Sequence, residues 1–153
     1  YHPVRRLGPN WIVTNGDQTD TIGDALLVGG NFSTLVPILG TWADPTRRAG
    51  FLLFLEEVEE SMHHIDRMFN ELLLRGAMRR CRGVVLGDFT GCGAEFDYAS
   101  VEEMLVQRYL DRLGIPVLGG FPAGHGPVNL PLPMGARAVL DVRDDGASLH
   151  FIP

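Results

Sequence analysis

Phe51-Leu52-Leu53-Phe54-Leu55-Glu56-Glu57-Val58-Glu59-Glu60-Ser61-Met62-His63-His64-Ile65-Asp66-Arg67 decides the fold. Five apolar residues run without interruption into a stretch where four of five residues are acids. An unbroken apolar run of this length reads as a strand buried on both faces. The acids mark its water-facing carboxyl end, and a helix follows. Open α/β sheets place ligands at that edge. A carboxylate working there needs a group to answer it, and the candidate is His125 in Gly124-His125-Gly126.

Outward from this stretch, the chain punctuates itself. Residues 1–10 carry two prolines and two arginines and read as an extended lead-in; residues 11–153 read as one domain. Trp11–Thr14 is a short strand before the turn pair Asn15-Gly16, and Gly23–Val28 a second strand that Gly29-Gly30-Asn31 is expected to break. Phe32–Leu39 has helical spacing with Pro37 inside it and Gly40 as its stop. Met62, Ile65, Phe69, Leu72 and Leu73 share one face of a helix from about Ser61 to Arg75, capped by Ser61 and stopped by Gly76. Gly83–Gly87 is another buried strand. Ser100-Val101-Glu102-Glu103 is a capping box that opens a helix closing at Gly114, and Ile115–Leu118 is a strand.

The segment from Gly119 to Gly135 holds five glycines and four prolines and forms a long loop. Ala136–Asp141 and Ala147–Ile152 then make a C-terminal hairpin around Asp145-Gly146. The expected fold is α/β with a mixed sheet.

Bulk properties exclude several classes. With 153 residues and 45% apolar content the chain has material for one core. A net charge of −6, with no long basic run, argues against nucleic acid. All thirteen positive side chains are arginine. Cys81 and Cys92 stand alone, with no Cys-x-x-Cys, so a reducing compartment is expected. No apolar run reaches a membrane span and no basic-then-apolar leader is visible, so a soluble, cytoplasmic protein with no membrane partner is expected. Because the chain opens on Tyr1, a preceding segment is expected.

Among the acids, a helix terminus accounts for negative charge in general, and Glu57, Glu59 and Glu60 read as ordinary surface or helix-end charges. Glu56 is different, since it directly follows buried Leu55. A carboxylate held there can orient a histidine, as the third member of a nucleophile, base and orienter triad does. His125 leaves the same sheet edge between two glycines that permit close approach, which makes it the general-base candidate. Asp88, after its own buried strand, reads as a cap or a loop hydrogen bond. His63 and His64 are adjacent, so on a helix they point about 100° apart and do not chelate one ion; no metal and no cofactor are expected. No nucleophile is evident. Ser33, Ser61, Ser100 and Ser148 lie outside any Gly-x-Ser-x-Gly elbow, and nothing near Cys92 lowers its pKa.

Six motifs in order carry a resemblance: Gly29-Gly30-Asn31-Phe32-Ser33, Gly40-Thr41, Leu55 to Glu60, Ile65-Asp66-Arg67-Met68, Gly87-Asp88-Phe89-Thr90, and Gly124-His125-Gly126 with Leu132-Pro133-Met134-Gly135. From about Trp11 to Ile152 the chain resembles the C-terminal domain of the LD-carboxypeptidases, the serine peptidase family of murein tetrapeptide carboxypeptidase and the microcin C immunity peptidases. The resemblance implies a swivelling β/β/α domain. It also implies a Ser-His-Glu triad in which Glu56 and His125 match the family's glutamate and histidine. The family's serine belongs to an N-terminal nucleophile domain, absent from this chain, so that domain is the expected partner, covalent or separate, with a murein peptide as substrate. A homodimer is expected of the whole enzyme, and this chain alone is expected to be inactive. The family's Val-Gly-Glu and Pro-Tyr-Arg are Val58-Glu59-Glu60 and Met62-His63-His64 here, which bears on substrate preference. The alternative is a non-catalytic interaction or regulatory domain that keeps the fold without the nucleophile domain.

Overall fold

A computed structural model describes residues 4–7, 10–13, 21–93, 97–143 and 146–153, with side chains from residue 25 onward. Its strands are β1 (Val4–Leu7), β2 (Asn10–Val13), β3 (Thr21–Asn31), β4 (Phe51–Val58), β5 (Cys81–Thr90), β6 (Val117–Leu118), β7 (Arg137–Arg143) and β8 (Gly146–Phe151). The helices are α1 (Phe32–Leu35), α2 (Met62–Leu74) and α3 (Val101–Arg108). The strands form one mixed sheet in the order β1-β2-β6-β5-β4-β3-β7-β8. Its centre, β6-β5-β4-β3, is parallel. Antiparallel strands flank it on both sides, and β7-β8 is the expected C-terminal hairpin. The hairpin's connecting residues and the Asn15-Gly16 turn lie outside the described residues.

β4 is central, and its apolar run serves two layers. Phe51, Leu53 and Leu55 face the helices, where they pack with Met62, Ile65, Phe69 and Leu72 of α2. Leu52 and Phe54 face a second cluster with Val85, Leu118, Ala138 and Leu140. Alternation along the strand thus sends successive residues into opposite layers. The sheet curls so far that β7 covers its own other face: a Cβ on Gly83 of β5 would lie 2.9 Å from Leu140 Cδ2. Phe69 anchors the helical layer, edge-on to Phe32 at 6.3 Å and stacked on Tyr109 at 4.9 Å.

Several boundaries differ from the sequence expectation. Gly29 and Gly30 do not break β3; the strand continues through them with φ of 123° and 135°. Gly29 lies so close to β4 that a Cβ there would sit 2.0 Å from the Phe54 carbonyl oxygen. The helix after Asn31 ends at Leu35 and tightens into a 3-10 turn at Val36–Ile38, because Pro37 has no N–H to continue the α pattern. β4 and β5 run three residues beyond their expected ends, to Val58 and Thr90. Ser61 occupies the N-cap of α2 without capping it through its side chain, whereas Ser100 accepts from Glu103 N–H as expected. Val4–Leu7, inside the lead-in stretch, pairs with β2. Both cysteines are free, and no described helix is long and apolar enough to cross a membrane.

Candidate active site

Parallel pairing brings the carboxyl ends of β4, β5 and β6 to one edge, and the site forms there. The loop leaving β6 continues along β5: Phe121 N–H donates to the Leu86 carbonyl (3.0 Å) and Asp88 N–H donates to the Ala123 carbonyl (2.9 Å). This stitching carries His125 over the end of β4. Its Nδ1 donates to Glu56 Oε2 at 2.7 Å. The Glu56 side chain is 6% exposed and the imidazole 52% exposed. Among the described residues Nε2 has no hydrogen-bond partner.

Three features fix this pair. Gly124 takes φ 130°, and a Cβ there would lie 2.9 Å from Glu56 Oε2, so only glycine lets the loop settle on the carboxylate. Gly126 N–H donates to Asp88 Oδ2 at 3.2 Å, which ties down the other side of the histidine. Asp88 reaches that position because β5 lays two residues against one. Leu86 pairs with Leu55 and Phe89 with Glu57, leaving Gly87 and Asp88 opposite Glu56 alone. An extra residue of this kind re-aims a side chain. The loop hydrogen bond expected of Asp88 is therefore present, and its recipient is the histidine loop.

A proton shared toward a carboxylate sits on Nδ1, so neutral His125 presents the Nε2 lone pair to solvent. The hydrogen bond that Nδ1 donates to Glu56 raises the His125 pKa above its ordinary value of 6.5; the charge of Glu56 adds to this, desolvation opposes it, and the charge of Glu57 adds more weakly. A cleft of about 360 Å³ lies beside the ring, with Phe54, Asn129, Leu130, Leu132 and Met134 in its walls. The arrangement can take a proton at Nε2 and hold the resulting imidazolium against Glu56.

Glu57 corrects the expectation for the acid cluster. It is 1% exposed and faces the helical layer, because the strand does not end before it. Its carboxylate accepts from Asn31 Nδ2 and Ser33 N–H, each at 2.7 Å, and from Val58 N–H at 3.0 Å. Glu59 is exposed, with φ 55°. Glu60 bonds His64 one turn into α2.

Other candidates stand apart from the pair. Asp66 accepts from Tyr109 Oη at 2.5 Å, away from His64, and no set of three or more metal-ligating side chains converges among the described residues. Ser33 turns to Glu57 and Asn31, Ser100 caps α3, and Ser148 meets His150, so none of these is bonded to His125. Burial, foremost, pushes the Cys92 thiol pKa up.

Residues 24–140 match the sequence model of the LD-carboxypeptidase C-terminal domain. The chain is 35% identical to the "Probable murein peptide carboxypeptidase" of Bacillus subtilis over 125 residues, covering 81% of this chain and 39% of that protein. With the murein tetrapeptide carboxypeptidase of Pseudomonas aeruginosa it shares 31% identity over 118 residues, 77% of this chain and 38% of the other. The crystal structure of muramoyltetrapeptide carboxypeptidase from Oxalobacter formigenes superposes with a TM-score of 0.74 at 27% identity, covering 95% of this chain and 51% of that one. The chain spans about two fifths of the length of these curated relatives.

Proposed function

Because this chain belongs to the LD-carboxypeptidase family, as its C-terminal domain, we propose that it supplies the general base and its orienter to a serine carboxypeptidase. The nucleophile would come from a further domain of the complete enzyme. Its serine Oγ attacks the carbonyl joining an L-centre to a terminal D-amino acid, and His125 Nε2 takes the hydroxyl proton. Glu56 holds the ring through Nδ1 and balances the imidazolium charge. The C–N bond then breaks, and the same proton passes to the departing amine, leaving an acyl-serine. Water attacks that ester with His125 again as base, releasing the shortened peptide and restoring the serine.

One observation carries this reading: the 2.7 Å Nδ1 to Oε2 bond, made by a half-exposed imidazole that lines an open cleft. The rim of that cleft supports a covering partner. Leu130 and Met134, with Val128 in the same loop, are apolar and exposed. A surface of this kind fits a face that another domain closes. On this reading the complete enzyme works in the cytoplasm as a homodimer, removing D-alanine from recycled murein peptides without a metal.

The test is complementation. The chain is mixed with a nucleophile domain from a family member, and D-alanine release from a murein tetrapeptide is followed. Activity is expected only from the mixture, to vanish with His125→Ala, and to persist in a chelator. Activity that survives His125→Ala would sink the assignment, and hydrolysis by this chain alone would place the nucleophile within it.

A further inference from the structure

At the opposite end of the parallel strands, three arginines converge. Arg48 precedes β4, Arg82 is the second residue of β5, and Arg137 opens β7. They line a cleft of about 500 Å³ whose remaining walls are small or apolar, Ala25, Leu26 and Gly50 among them. No carboxylate lines it among the described residues. This is a local reversal in a chain of net charge −6. Three of the other described arginines meet acids, Arg75 with Glu71 at 2.6 Å, Arg108 with Asp66 at 3.4 Å and Arg143 with Asp141 at 2.8 Å. Arg48 and Arg82 make no ion pair or hydrogen bond among the described residues.

The backbone is built around Arg82. Cys81 pairs with Phe51 and Gly83 with Leu52, so Arg82 is an extra residue in β5, turned out of the ladder by the irregularity. Gly50, at φ 77°, sits beneath it. A Cβ on Gly50 would lie 2.6 Å from Arg82 Nε, so the guanidinium lies across bare backbone.

We propose that this cleft binds a small oxyanion ligand, a phosphate ester or a polycarboxylate. Guanidinium groups present forked donors that match the paired oxygens of either group. A cleft lined by one sign of charge concentrates counter-ions, and its volume suits a small molecule. Glu56 lies five residues further along β4 than Phe51, a rise of roughly 17 Å. The site is therefore separate from His125 and independent of the peptidase reading.

Isothermal titration with pyrophosphate and with citrate, at ionic strength matched by chloride, tests it, alongside the arginine Nε–H resonances. Saturable binding of at least one probe is expected, with a Kd on the order of 1 mM or tighter and the Arg82 resonance among those that shift. Arg82→Ala should weaken it roughly tenfold, and Arg48→Ala with Arg82→Ala should abolish it. Both side chains are exposed, so the fold should survive, as circular dichroism would verify. Preference for pyrophosphate assigns phosphate chemistry, and preference for citrate assigns carboxylates. A linear response to both probes, or equal binding by the double variant, overturns the proposal.

Discussion

The imidazole of His125 and the carboxylate of Glu56 meet at 2.7 Å across 69 residues of sequence. Glu56→Gln removes the acceptor charge while keeping the shape. In the reconstituted enzyme kcat should fall roughly 10³–10⁴-fold, as expected when a triad loses the acid that sets its histidine tautomer. Single-turnover kinetics on a murein tetrapeptide would show it, and a loss below tenfold would remove Glu56 from the triad.

The same pair sets a pH dependence. Glu56 raises the His125 pKa above 6.5, and a general base must be neutral, so the acid limb of kcat/KM should lie above that value. In Glu56→Gln it should move down toward 6.5. The stability that protonated His125 gains from Glu56 is complete below the unfolded-state pKa and disappears as pH rises through the raised folded-state value. An NMR titration of the ring C–H signals reads both; an unchanged midpoint in Glu56→Gln would contradict the assignment.

Gly124→Ala should dislodge the histidine loop. The new Cβ meets Glu56 Oε2 at 2.9 Å with φ at 130°, and backbone strain of this kind costs about 1–3 kcal/mol. Denaturant unfolding should show the loss, and the His125 titration should fall back toward its ordinary value. Retention of both properties would mean that the loop is not seated as described.

Asp88 acts through the backbone of Gly126. Asp88→Ala should lower kcat by up to about 10²-fold through misplacement of the ring, with KM little changed. Asp88→Asn keeps an acceptor oxygen and should retain most of the rate. Equal losses in the two variants would point to charge and not to positioning.

Glu57→Ala strands Asn31 Nδ2 and Ser33 N–H beside the α1 terminus. A cost of about 1–3 kcal/mol per unpartnered donor is expected in chemical unfolding. A variant within ~0.5 kcal/mol of the parent would show that water replaces the carboxylate.

Glu56 and His125 are legible because both follow from one inference, that parallel buried strands deliver their ends to the same edge. Asp88 is legible for the same reason. Glu57 is not. Its donors come from Asn31 and Ser33, 26 and 24 residues away, and an acid beside a helix start looks alike in sequence whether it is solvated or buried. Gly29-Gly30 misleads in the opposite direction. Two glycines resemble a turn, yet they serve the close contact with Phe54 inside a continuing strand. The short β6 conceals that the next residues, up to Ala123, still bond to β5.

The two residues that β5 lays against Glu56 also set a reading frame for the site. Removing Gly87 would slide Asp88 into its place, where even a Cβ lies 2.3 Å from the Ala123 carbonyl oxygen. It would also exchange the faces of the residues that follow. An insertion or deletion there would displace the site, whereas a substitution in the cleft wall would leave the register intact. A lineage of such proteins can change what it recognises by substitution, but not by altering the length of this strand.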